Sequence, residues 1–124
     1  MLQEKYRAVL QLGESLEVKD GYVREEGGKL KIGGTVPYQY DSDRLWDEIK
    51  KQPDWENEVE VKIEVANRDL YGQYTVVSGD TLWKISEKLF GKGNRYMEIF
   101  EKNKDQLKNP DVIKVGQILK LPSR

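Results

Sequence analysis

The stretch that decides the fold of the C-terminal half is Tyr74–Phe90, YTVVSGDTLWKISEKLF. Tyr74 to Val77 are aromatic and β-branched, types that sit well in a strand. Gly79 permits a tight exit from that strand. Asp80 or Thr81 then offers a side-chain oxygen to an orphan N–H at the start of a helix. Leu82, Ile85, Ser86 and Leu89 share the inner side of that helix, and Trp83 falls outside it.

The rest of this half follows outward from there. Gly91-Lys92-Gly93-Asn94 breaks the first helix, and a second from about Arg95 is expected to bury Tyr96, Ile99, Phe100 and Leu107. KNPDVIKVGQ reads as a loop in which Pro110 blocks helix extension. QILKLP closes the unit as a strand, giving β-α-α-β with its two strands paired.

Toward the N-terminus, ANRDLYGQ is polar and contains Gly72, which places a boundary there. The expected division is residues 1–66, a connector at 67–72, and a second domain at 73–124. In the first domain Leu2, Tyr6, Val9 and Leu10 form one helical face, with Gly13 as its stop. Glu26-Gly27-Gly28-Lys29 turns between two extended arms, where Leu30 and Ile32 alternate with lysines. Asp41, Ser42 or Asp43 caps a helix carrying Leu45, Trp46 and Ile49, and Pro53 bars its continuation. NEVEVKIEV alternates strictly, so Glu56, Glu58, Glu60 and Glu64 are expected in solvent. The fold class is α+β in two small domains, α-β-β-α-β followed by β-α-α-β.

Composition narrows the function. The chain has 124 residues, with 37% hydrophobic and 35% charged, which suits small units. Its 21 basic and 22 acidic residues show no basic excess or stripe, which argues against nucleic acid. The absence of Cys and His removes disulfides, Cys zinc sites, the commonest general base and the commonest transition-metal ligand. No stretch approaches the ~20 apolar residues of a spanning helix, so membrane insertion is not expected. Read as complete, the chain is expected in the cytoplasm; with a signal peptide removed, in the periplasm or cell wall. Nothing in it sets an oligomeric state.

YTVVSGDTLWKIS, IFEKNKD and NPDVIKVGQILKLP together resemble the LysM domain. The helix, Gly-turned hairpin, helix and strand of the first half are similar to the BON domain. BON followed by LysM resembles the architecture of bacterial potassium-binding proteins.

Several roles follow from the LysM resemblance. It implies a shallow groove for N-acetylglucosamine-containing glycan, of peptidoglycan or chitin type. Gly79, Asp80, Thr81 and Leu82 would line one side, and Pro110, Asp111, Val112, Ile113 and Val115 the other. Trp83 either covers the side of the helix pair or offers a stacking platform. The two-domain resemblance implies the alternative of a potassium ion held by backbone carbonyls near the connector, the single cofactor weighed. A protein–protein adaptor is a third reading. No enzyme is expected: the alternating glutamates do not flank one bond as glycoside hydrolysis requires. DSDRLWDE also lacks the Gly and terminal Glu of a calcium loop.

Overall fold

Gly27 and Gly28 are both left-handed, with φ of 63° and 79°. Two such residues in succession make the hairpin turn whose twist matches that of the strands it joins. They connect β1 (Lys19–Glu26) to β2 (Lys29–Tyr38), with Glu26 opposite Lys29. The computed structural model describes residues 2–124. The chain divides into two compact units, the first ending at Arg68 and the second running Asp69–Arg124.

In the first unit β2 is the central strand. β3 (Val59–Asn67) lies on its other side, parallel, with Leu30 opposite Val59 and Val36 opposite Val65. A parallel neighbour requires a crossover, which is supplied by α3 (Gln39–Ile49) and the single-turn α4 (Trp55–Glu58). α1 (Leu2–Lys5) and α2 (Arg7–Ser15) precede the sheet. The core joins Tyr6 and Val9 to Leu30, Ile32, Val36, Leu45, Ile49 and Val59. Leu30 and Ile49 are fully buried, each contributing about 1.5–3 kcal/mol relative to an exposed side chain. Trp46 and Trp55 meet edge to face at 5.5 Å along its flank. The expected α-β-β-α-β order is thus present, with α4 added.

The second unit pairs β4 (Leu70–Thr75) antiparallel with β5 (Ile118–Pro122), Tyr74 facing Leu119. Between them run α5 (Leu82–Phe90), a 3-10 turn at Gly93–Arg95 and α6 (Tyr96–Lys102). Gly91 ends α5 in the left-handed conformation, its N–H donating to the Glu87 carbonyl at 3.0 Å. Leu82, Ile85, Ile99, Leu107, Leu119 and Leu121 fill the interior.

Several expectations are corrected. The first helix does not stop at Gly13. It breaks at Tyr6 and resumes through Ser15, and Gly13 sits inside it. α3 starts before the acidic cluster, so Asp41 lies in its first turn and accepts from the Tyr38 N–H at 3.0 Å. The connector at 67–72 overlaps both neighbouring strands, since β3 includes Asn67 and β4 begins at Leu70. β4 also ends at Thr75 rather than Val77. Tyr96 and Phe100 are half-buried, leaving Ile99 as the core residue of α6.

Glu58 is the largest departure, because it is half-buried and turns back on Lys5 and Tyr6 rather than standing free in solvent. It closes α4, where its carboxylate accepts from Lys5 Nζ at 2.6 Å and from the Tyr6 hydroxyl at 3.0 Å. The hydrogen bond from Lys5 foremost holds the Glu58 carboxyl below the usual range. Burial, then the bond to Glu58, pushes the Tyr6 phenol up from 10.0 to about 12.

A lowered carboxyl stabilises the fold above the ordinary carboxylate range, and that stability is lost as pH falls through the lowered value. A raised phenol stabilises fully below its unfolded value, and that share is lost as pH rises through about 12. Tyr6→Phe should therefore cost about 1 kcal/mol at neutral pH. It should also flatten the decline in stability between pH 10 and 12, read from urea melts across that window. An unchanged alkaline limb would place its cause elsewhere.

Candidate recognition cleft

Two short turns, one after β4 and one before β5, are built alike. In Val77-Ser78-Gly79-Asp80 the Asp80 N–H donates to the Val77 carbonyl at 3.1 Å, and the Asp80 carboxylate accepts from the Val77 N–H at 2.9 Å. In Lys114-Val115-Gly116-Gln117 the Gln117 N–H donates to the Lys114 carbonyl at 3.1 Å. The Gln117 side-chain oxygen accepts from the Lys114 N–H, also at 3.1 Å. Each third position is a left-handed glycine, Gly79 at φ 88° and Gly116 at φ 89°. One positive φ at that place is the mark of a type II turn.

Backbone bonds hold the turns side by side. The Val76 N–H donates to the Gln117 carbonyl at 2.9 Å, and the Gly116 N–H donates to the Val76 carbonyl at 2.8 Å. The β4–β5 ladder thus runs one step past its last strand pair, Thr75 with Ile118. Around this end Val77, Val112, Val115 and Ile118 stay exposed, Val115 by 69%. The paired turns are thus flanked by exposed apolar side chains, with Asp111 and Lys114 exposed beside them.

The residues singled out in the sequence take different parts. Asp80 braces its own turn and accepts from the buried Tyr74 hydroxyl at 2.8 Å. Thr81 is the helix cap, accepting from the Lys84 N–H at 3.1 Å. Leu82 is a core residue, 2% exposed, so its side chain is not available to a ligand. Trp83 lies over Gly93, where a Cβ would meet indole atoms 2.1 Å away, and its ring tilts against Tyr96 at 5.6 Å. It covers the helix pair while staying 49% exposed. Pro110 and Ile113 are half-buried, and Asp111 is exposed alongside Val112 and Val115.

Sequence reasoning passed over two asparagines. Asn109 orders the second loop, its side-chain oxygen accepting from the Asp111 N–H at 2.8 Å. The Asn-Pro pair at 109–110 was the available signal, since Asn before Pro favours turn initiation. Asn103 is fully buried. Its amide donates to the Lys120 carbonyl at 2.9 Å and accepts from the Lys120 N–H at 2.8 Å, mimicking a further strand beside β5. A second bond from the same amide reaches the Ile99 carbonyl at 2.6 Å.

Among the described residues no three carboxylates converge as a metal cluster, and no helix is long and apolar enough to cross a membrane.

Residues 74–122, which carry the end of β4, the twin turns, the helix pair and β5, match the LysM domain family. Over 49 residues the chain is 55% identical to the protein named Potassium binding protein Kbp of Escherichia coli O6:H1. That stretch is 40% of this chain and 33% of the relative, so the match spans about a third of the relative's length.

Two substitutions separate scaffold from cleft. Asn103→Ala leaves both backbone groups of Lys120 without their side-chain partner and should cost about 2–4 kcal/mol in denaturant melts. Thr81→Ala should cost about 1 kcal/mol through the lost cap. Equal losses would deny Asn103 its bracing role.

Proposed function

We propose that this chain is a non-catalytic recognition protein whose LysM unit binds N-acetylglucosamine-containing glycan between its twin turns. The observation that carries the reading is the backbone pairing of Val76 with Gly116 and Gln117, which sets two loops edge to edge. Backbone N–H and C=O groups grip an acetamido group, and apolar rims at Val77, Val112 and Val115 take its methyl and the carbon face of the ring. The site needs neither metal nor catalytic base. A single module of this size binds weakly, and tight capture of a polymer comes from several modules acting together.

Titration with chitin or muropeptide oligomers tests this directly. Saturable amide shifts should appear at Ser78–Thr81 and Asp111–Val115. Silence there at millimolar sugar would remove the glycan reading.

A second reading has its own support. The relative that is 55% identical over the LysM stretch carries potassium binding in its name. Potassium is large and weakly hydrated, and backbone carbonyls can replace its water shell without a charged side chain. A ligand that prefers the native state stabilises it, by about 2.7 kcal/mol at a hundred times its dissociation constant. Melts at equal ionic strength should then show a higher midpoint in potassium chloride than in sodium chloride. Equal midpoints would discard the ion and leave the sugar.

A further inference from the structure

The first unit contains a cleft of about 520 Å3 that none of the roles above uses. It runs between α2, the β1 arm and the helix-facing side of β2, with α3 at its floor. Part of its space comes from a side chain missing on α2. At Gly13 the nearest atom to an added Cβ is Leu45 Cδ2 at 4.0 Å, so α2 leaves a gap there. Gly34, with φ 147°, is turned so that a Val18 methyl stands 2.5 Å from where its Cβ would be. The volume falls within the roughly 300–1,000 Å3 of small-molecule sites.

The lining has a definite chemistry. Leu10, Val18, Tyr22, Val23 and Ile63 keep accessible hydrocarbon surface on it, above a floor of the buried Val9, Val36, Leu45 and Ile49. Among the described residues the only charged side chains on the cleft are Glu14 and Glu17, and no Lys or Arg lines it. Both glutamates are exposed at the mouth, three residues apart, and among the described residues neither is in an ion pair. A tail entering this cleft sheds water against aliphatic surface. A cationic head meets two carboxylates at the rim, whereas an anionic head meets like charge.

We infer that this cleft binds a small amphiphilic cation, its hydrocarbon body among the α2, β2 and α3 side chains and its ammonium head between Glu14 and Glu17. The cleft is distinct from the twin turns and lies wholly within the first unit.

The test uses the full chain and three probes that share a tail: octyltrimethylammonium, octanoate and octyl glucoside. The ammonium should give saturable amide shifts at Gly13, Gly21 and Gly34, with octanoate binding at least about tenfold more weakly. The paired surface substitutions Glu14→Gln and Glu17→Gln should keep the melting midpoint. They should weaken the ammonium roughly fivefold and leave octyl glucoside unchanged. Leu10→Trp, which fills the entrance, should abolish binding of all three. Equal affinity for the three heads would overturn the proposal, as would shifts confined to residues outside the cleft or no saturable shift at all.

Discussion

The second unit depends on the backbone exchange between Val76 and the pair Gly116–Gln117. Strand pairing alone ends at Thr75 and Ile118, and the connections beyond would be free to splay. Two bonds past that point fasten the bases of both turns, and each turn is closed by a side chain from its own last residue, Asp80 or Gln117. Backbone donors and acceptors survive every substitution except proline, which removes the N–H. The pairing of the two turns is therefore insulated from side-chain changes around it, where Val77, Val112 and Val115 remain exposed.

The first unit solves a different problem. Its strands β2 and β3 are parallel, so the chain must cross over before the second can pair. The crossover ends in α4, whose Glu58 returns to Lys5 and Tyr6 near the start of the chain. One carboxylate thus ties the first helices to the entry of the last strand. β2 carries adjacent glycines at 33 and 34. Tyr22 lies over the first and Val18 over the second.

Much of this was legible from periodicity. Alternation from Val59 to Val65 and the stripe Leu82, Ile85, Leu89 named a strand and a helix, because a half-buried element repeats its apolar side chains at its own period. The twin turns were legible in part: Gly79 and the Asp80 or Thr81 cap were marked, but not the likeness of Lys114–Gln117 to Val77–Asp80. Long-range pairings were not legible. Nothing local to Glu58 points to Tyr6, 52 residues away, and an alternating strand pattern assigned it to solvent. Asn103 reads as an ordinary polar residue at a helix end, yet it is wholly buried and acts as a strand neighbour to Lys120. The cleft of the first unit was invisible for a related reason. Sequence shows glycines as turn formers, and only packing reveals Gly13 as room beside Leu45.

The placement of the tryptophans has an optical consequence. Trp46 and Trp55 meet each other in the first unit, while Trp83 lies alone in the second against Gly93 and Tyr96, about half open to water. Intrinsic fluorescence therefore has a source in each unit: an edge-to-face indole pair in one and a single half-exposed indole in the other. Each unit carries a native chromophore of its own, with no label attached.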